Sequence, residues 1–402
     1  MEILIIIILS LMIGCFVYFK VGDYFAPWFI TTGVWLAILV MFQFQRGLLY
    51  PLSDQFYNCV LIWVPIFCLS SLITYYVLPK VKDEANTCIR KTEINDWLFN
   101  AIFILAIVTT PLFVYQIVKI VTMFDTTDML YNLRVYAVFG DEDFGILKYS
   151  YILNQVLFVI GIWQYPKVPL WKILIILAMN LLSEFAIMEK SGIFFLVLTV
   201  LFVLYEKRII KIKSIITTLV VIILIFFFIN MSKEVKSDKT YESMTFVDFF
   251  GIYLLSPSVA FGRVTEDLSN QFGAHTFQFI YLFLNKWGVG DYVVNQRLQD
   301  FVWVPLPTNV FTIFQPFYED FQYRGVAFFA FVYGVLSGWV YRMFRNGKFI
   351  ARCIYVYFAK FLFMQFYHED FISNLVLVVQ FCFFVIIISY NDIKISFKRK
   401  TQ

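Results

Sequence analysis

From Asp96 to Val121 the chain reads DWLFNAIFILAIVTTPLFVYQIVKIV, with no charged residue between Asp96 and Lys119. A helix crosses the hydrocarbon core of a bilayer with about 20 apolar residues, so this run is long enough to span. The same texture recurs along the chain. Apolar runs lie near 3–19, 26–43, 56–78, 149–164, 171–188, 191–205, 215–231, 326–344, 349–366 and 371–390. Together with 96–121 they give eleven predicted spans. The two short runs flanking Glu189-Lys190-Ser191-Gly192 would also suit a re-entrant pair.

Composition agrees. Of 402 residues, 61% are hydrophobic, 21% aromatic and 15% charged, where soluble domains carry about 25% charged residues. That excludes a soluble globular enzyme. A net charge of +4 excludes a basic nucleic-acid binder, and the hydrophobicity excludes disorder. The expected class is an all-α polytopic integral membrane protein. Eleven spans would use about 220 residues and leave about 180 for loops, an excess that has to be accommodated. Cys15, Cys59, Cys68, Cys353 and Cys382 lie in apolar runs and Cys88 in a charged loop, with no C-x-x-C; they read as small hydrophobes. The start, Met1-Glu2-Ile3-Leu4-Ile5, lacks a positive n-region and reads as a first membrane helix rather than a cleaved signal.

Lys and Arg in short loops stay on the cytoplasmic side. With Lys394, Lys398, Arg399 and Lys400 inside, alternation puts 17 basic residues on the inner side and leaves 5 in the short outer loops: Arg46, Lys119, Arg134, Lys148 and Lys190. The predicted orientation is N-terminus out, C-terminus in. Residues 1–231 then hold eight spans with a short outer loop at 122–148, residues 232–325 form a large outer segment, and residues 326–402 hold three spans and a cytoplasmic tail. The outer segment carries ten acidic and seven basic residues between aromatic stretches such as Phe246-Val247-Asp248-Phe249-Phe250 and Phe277-Gln278-Phe279-Ile280-Tyr281-Leu282-Phe283. These are too short and interrupted to span, and are expected as amphipathic helices lying on the outer leaflet.

No phosphate loop, H-E-x-x-H or G-x-S-x-G occurs. Asp141-Glu142-Asp143 matches a loose metal-holding Asp-x-Asp pattern, but it falls on the outer side, away from nucleotide sugars, and reads as a solvated acidic loop. No metal or cofactor is expected. Four cations fall at the predicted outer surface: Arg134, Lys190, Arg263 and Arg324. Guanidinium forks bind phosphate oxygens through paired charge-assisted hydrogen bonds, so this set suits a lipid diphosphate. The alternative is local pairing: Arg263 with Glu266 or Asp267, Arg324 with Asp320, Lys190 with Glu189, Arg134 with the acidic residues after it. Glu319, Asp320 and Glu369 lie at the same level. A partly dehydrated carboxylate there suits a general base that takes a proton from a sugar hydroxyl, while helix capping is the competing role. His275 and His368 read first as interface anchors. Trp287, Tyr292, Trp303, Tyr318 and Tyr323 suit either sugar stacking or the interfacial aromatic belt.

The segment Asn309-Val310-Phe311-Thr312, then Tyr318-Glu319-Asp320-Phe321, then Gly325 opening a span with Gly334 and Gly338, resembles the Asn-x-Tyr-Thr and Asp-Phe-Gly pattern of the bacterial oligosaccharide repeat unit polymerases of Wzy type. Phe311 stands for the Tyr and Gln322 for the Gly. Some members carry Arg-x10-Gly in each outer loop; Arg134 and Gly145 have that spacing, while Arg263 to Gly273 is one residue short. Lys190 sits where the family often shows a basic residue. The span number and the two outer loops, short then long, are similar over almost the whole chain.

The resemblance implies a membrane-embedded, GT-C-like glycosyltransferase of the bacterial inner membrane, independent of metal. It would join undecaprenyl-diphosphate-linked oligosaccharides, as donor and acceptor, into O-antigen or another surface polysaccharide on the outer face, alongside a flippase and a chain-length regulator. Arg134, Arg263, Lys190 and Arg324 would bind diphosphate, and Glu319, Asp320 or Glu369 would activate the acceptor. Two alternatives stand beside it. One is a lipid-oligosaccharide flippase, which would line a central cavity with charges. The other is the O-antigen ligase, which would need His275 as its outer-loop histidine.

Overall fold

The computed structural model describes residues 1–45, 47–80, 94–124, 128–139, 147, 149–187, 190–213, 217, 246–265, 271–294, 299–305 and 307–389. Its helices, in chain order, are α1 (Glu2–Tyr18), α2 (Pro27–Gln45), α3 (Asp54–Val77), α4 (Asp96–Val121), α5 (Met129–Phe139), α6 (Tyr149–Trp163) and α7 (Leu170–Ala186). They continue with α8 (Lys190–Glu206), α9 (Phe246–Ala260), α10 (Gln278–Lys286), α11 (Gln315–Arg345), α12 (Phe349–Met364) and α13 (Leu375–Ile388). A 3-10 turn, Phe261–Arg263, follows α9, and a short hairpin, β1 (Val302–Trp303) and β2 (Pro307–Thr308), precedes α11. The protein is mostly helical, as expected. Helices α2, α3, α4 and α11 are long and apolar enough to cross a membrane, and α1, α6, α13 and Ser191–Glu206 of α8 are shorter apolar helices. The predicted span at 215–231 falls outside the described residues.

Packing divides the chain into two compact units that do not follow sequence order. Unit 1 comprises Met1–Pro79, Ile210–Arg342 and Phe358–Leu375; unit 2 comprises Lys80–Ile209, Met343–Tyr357 and Val376–Gln402.

In unit 1 the long helix α11 lies against α3 with almost no side chain between them. A Cβ at Gly334 would come within 1.9 Å of Ser70 Oγ and 2.5 Å of the Phe67 carbonyl, and one at Gly338 within 2.4 Å of the Ser71 carbonyl. Two glycines four apart expose the backbone on one helical face, and a small partner residue then lets the helices touch, as is common inside membranes. The two ends of the unit differ. At one, Trp28 Nε1 donates to Val21 O (2.8 Å), Tyr341 to Asp23 Oδ2 (3.1 Å), and the Arg342 guanidinium to Leu78 O (2.7 and 3.1 Å). At the other, Gln55 donates to Val264 O (3.1 Å), Ile313 N to Gln365 O (2.9 Å), and the Tyr253 and Tyr367 hydroxyls lie 3.1 Å apart. Segments that the charge pattern assigns to one side of the bilayer thus meet one another.

The aromatic-rich segment, expected to lie on a membrane surface, departs from expectation in one place. From Gly251 to Ala260, α9 is almost wholly buried, with only Tyr253 and Leu254 partly exposed. The run Gly251-Ile252-Tyr253-Leu254-Leu255-Ser256-Pro257-Ser258-Val259-Ala260 has no charged face, so it sinks into the unit rather than lying on a surface. Gly251 packs directly on Gln45, whose side chain a Cβ would meet at 2.7 Å. By contrast α10 has no buried residue, and Leu282 and Phe283 are half exposed, as a surface-lying amphipathic helix requires.

Unit 2 is built on α4, α6 and α7. Helix α5 packs on the end of α4, where Leu133 and Tyr136 join Phe113, Ile117, Val121 and Ala186 in one buried cluster, and Asp128 caps it through the Tyr131 amide (3.1 Å). Tyr357 stacks on Phe381 at 4.2 Å.

Replacing Gly338 with Leu must push α11 off the α3 backbone. Overpacking at a backbone contact costs about 1–3 kcal/mol, so Gly338→Leu should lower the thermal midpoint in detergent, whereas Leu336→Ala should lower it less. Equal midpoints for Gly338→Leu and the parent protein would disprove the close crossing.

Candidate functional site

The carboxylates singled out by sequence lie on the first turns of α11 and in the α12–α13 loop, both in unit 1. The start of α11 is held by an aromatic junction. Phe314 stacks on Trp35 (4.6 Å, 17°) and meets Trp63 and Phe261 edge-on at 5.7 and 5.6 Å. Trp35 and Trp63 both donate their indole N–H to Gln365 Oε1, at 3.0 and 3.1 Å. Five segments are pinned at this point, so the next helical turn is a rigid base for the acidic pair.

On that turn, the two oxygens of Asp320 accept the backbone amides of His275 (3.1 Å) and Thr276 (2.6 Å), and Thr276 Oγ1 donates to Pro316 O (3.1 Å). Gly273 opens this turn at φ +63°, where a Cβ would strike the Phe277 ring at 2.4 Å; only glycine fits there. Glu319 accepts from Gln315 Nε2 (3.3 Å), and its Oε2 lies 3.0 Å from His275 Nδ1. These two side chains remain 13% and 17% exposed respectively. Asp320 is thus engaged with backbone, while the contacts of Glu319 include two polar side chains and the pair reaches solvent.

Two residues later the helix breaks its geometry. Gln322 has φ 53° and ψ −147°, a region that is essentially glycine's and costs other residues about 1–3 kcal/mol. The pattern that the segment resembles has a glycine at this position, and Gln322 stands there in a conformation that favours glycine. The kink also explains why Arg324 does not pair with Asp320: Asp320 is held by two amides, and among the described residues Arg324 has no ion-pair partner and is exposed. Arg263, in the 3-10 turn, is exposed with its guanidinium 6.0 Å from the centre of the Tyr50 ring. Its proposed partners Glu266 and Asp267 lie outside the described residues.

Glu369 is differently placed. It is 6% exposed and accepts from the Tyr333 hydroxyl, from the amides of Phe371, Ile372 and Ser373 (2.8 Å each) and from Ser373 Oγ (2.7 Å). Five donors on one carboxylate make it the knot of the α12–α13 loop. Beside it, Asp370 accepts from the buried Lys360 ammonium (2.8 Å), with His368 Nε2 at 3.4 Å. Burial opposes the ionised form of Asp370, but the Lys360 charge and His368 outweigh it and hold the carboxyl well below its usual range.

Arg134 and Lys190 belong to unit 2, on α5 and at the first residue of α8; their side chains lie outside the described residues, as do Gly145 and Asp141-Glu142-Asp143. Near the start of α8 the unit has a buried polar core. Asn154 Nδ2 donates to Thr110 Oγ1 (2.9 Å), Asn180 Nδ2 to Asn154 O (2.9 Å), and Gln155 Nε2 to Glu184 Oε1 (3.3 Å). The Glu184 carboxyl fills the space beside Gly192, where a Cβ would overlap it at 1.9 Å. Sequence reading passed over Glu184, Lys360 and the pairing of His275 with Glu319. The first two carry a signal, a charge inside an apolar run; the third has none, because 44 residues separate His275 from Glu319.

No family model matches the chain, and no solved structure matches it. The chain is similar to an Escherichia coli (strain K12) protein named "Putative O-antigen polymerase", with 32% identity over 146 residues, which is 35% of this chain and 36% of that protein. The chain spans about a third of the length of the curated relative it matches. The resemblance read from the motifs is thereby supported.

Two outcomes follow from the geometry. Asp320→Asn leaves one acceptor for two amides, so hydrogen exchange at His275 and Thr276 should accelerate; unchanged protection would refute the clamp. Gln322→Gly relieves the backbone and should stabilise the protein by about 1 kcal/mol, read as a higher thermal midpoint, whereas Gln322→Ala should not.

Proposed function

We propose that the chain is an oligosaccharide repeat unit polymerase of the bacterial inner membrane, working on its outer face with the N-terminus outside. It transfers a growing glycan from undecaprenyl diphosphate to a hydroxyl of an incoming lipid-linked repeat. The observation that carries this reading is the similarity to the O-antigen polymerase relative. The exposed Arg263 and Arg324 and the solvent-reaching Glu319 and His275 pair, gathered in unit 1, support it.

In this reaction the bond between the anomeric carbon and the diphosphate oxygen breaks, with the electron pair staying on the diphosphate. The acceptor oxygen forms the new bond to the same carbon and gives up its proton. Arg263 and Arg324 of unit 1 hold diphosphate and stabilise the leaving charge; Arg134 and Lys190 of unit 2 are likewise proposed as diphosphate-binding residues. Of the three candidate carboxylates, Glu319 takes the proton. Its contacts include Gln315 and His275, and it reaches solvent. Asp320 fixes the turn that carries His275, and Glu369, saturated by five donors, holds the loop. A flippase that delivers repeats and a chain-length regulator are the proposed partners.

In cells relying on this chain, Arg134→Ala or Arg263→Ala should let a single lipid-linked repeat accumulate while long polymer disappears on polysaccharide gels. Glu319→Gln should slow polymer formation roughly 10²–10⁴-fold in reconstituted protein of unchanged thermal midpoint. Normal chain-length profiles in both arginine variants would remove the mechanism.

A further inference from the structure

Beside the acidic turn, three segments remote in sequence build one surface in unit 1. The first is the loop before α3 and the opening turns of that helix, with Tyr50, Ser53, Gln55 and Asn58. The second is the 3-10 turn, with Arg263. The third is the kinked part of α11, with Tyr318 and Tyr323. Gln55 Nε2 donates to Val264 O at 3.1 Å, and a Cβ at Gly262 would touch Ser53 at 3.0 Å, so the first two segments are fastened together. Phe261 meets Tyr318 edge-on at 5.6 Å, which ties in the third.

The kink gives this surface its shape. In an unbroken helix only residues three or four apart are neighbours, so residues 318 and 323 would point apart. The Gln322 backbone brings Tyr323 round to meet Tyr318 edge-on at 5.2 Å, and Asn58 Nδ2 contacts the Tyr323 hydroxyl at 3.4 Å. A strained conformation kept at a cost in stability is a reason to look for function there. Tyr50 is 47% exposed, Arg263 is exposed, and Tyr318, Tyr323 and Asn58 are half-buried. The result is a patch of tyrosine rings beside one exposed guanidinium and a side-chain amide.

We infer that Tyr50, Asn58, Tyr318 and Tyr323, with Arg263 at their edge, form a saccharide subsite for the sugars next to the diphosphate of a lipid-linked oligosaccharide. This rests on the polymerase reading. A pyranose presents a face of C–H bonds ringed by hydroxyls; the C–H face meets the electron-rich face of an aromatic ring, and the hydroxyls need amide and hydroxyl partners such as Asn58 and the tyrosine OH groups. Arg263 is the group that meets the adjoining phosphate. Glu319 lies one residue from Tyr318, so a sugar held by the patch is close to the proposed base.

The test uses the full-length protein in nanodiscs and two probes, undecaprenyl diphosphate and the undecaprenyl-diphosphate-linked repeat extracted from the producing cells, with binding followed by native mass spectrometry. Tyr50→Leu and Tyr323→Leu should each weaken the glycosylated probe by about tenfold and leave the bare lipid diphosphate unchanged. Tyr323→Phe, which keeps the ring but loses the hydroxyl, should weaken the glycosylated probe less than Tyr323→Leu does, and Arg263→Ala should weaken both probes. Equal losses on both probes for the tyrosine variants would show a merely structural patch and overturn the subsite, as would no loss on either. Polymer formation by the parent protein is scored separately. Polymer with no contrast between probes would sink the subsite alone; no polymer would sink the enzymatic reading alone.

Discussion

The Asp320 carboxylate, by accepting the amides of His275 and Thr276, decides where the long segment between α9 and α11 touches the helical body. Hydrogen bonds from backbone amides to an ionised acceptor are among the stronger ones, and both oxygens are used. This contact fixes the turn opened by Gly273, which fixes His275 opposite Glu319. Phe277, at the end of the same turn, packs on Phe321 and Phe329 of α11 at 6.3 and 6.2 Å, so apolar contact reinforces the polar clamp. The aromatic junction at Phe314 holds the start of α11 against Trp35, Trp63 and Phe261.

Three acidic side chains within one unit illustrate how surroundings, not residue type, assign roles. Glu369 has five donors and is nearly sealed, so its oxygens are engaged in holding the loop. Asp370 is charge-balanced by Lys360 in a buried pair, an arrangement that specifies geometry more than it adds stability. Glu319, on the same turn as Asp320, faces a histidine and a glutamine and reaches solvent. Proton transfer needs a carboxylate that a substrate can reach, and Glu319 is more exposed than the nearly sealed Glu369 and Asp370.

Much of the fold was legible. Long apolar runs gave α2, α3, α4 and the body of α11, because period and length alone decide a span. Burial of α9 was less visible: Phe246-Val247-Asp248-Phe249-Phe250 advertises a surface helix, and only the uncharged run after it carries the opposite message. The site was half legible. Asp320 and Glu319 announced themselves as an acidic pair at a helix start, but which of them would be clamped depended on a turn 44 residues earlier. A glutamine at position 322 suggested that no glycine-type turn forms there, yet the backbone adopts one, since the packing on both sides overrides one residue's local preference. Lys360 and Glu184 were hidden for the reverse reason, each being a single charge diluted in an otherwise apolar run.

In the proposed reaction donor and acceptor are both lipid diphosphates, and at the moment of transfer one diphosphate departs while the other stays attached to the acceptor's own first sugar. Each carries negative charge that must be balanced where water is scarce, because an uncompensated anion at low dielectric is costly. The cations of unit 1 differ in how far their charge is already engaged. The Arg342 guanidinium donates to the Leu78 carbonyl and the buried Lys360 ammonium lies against Asp370, whereas Arg263 and Arg324 are exposed. An exposed guanidinium can turn its fork toward phosphate oxygens without breaking a buried contact, and that difference, not the presence of positive charge as such, is what recommends Arg263 and Arg324 over Arg342 and Lys360.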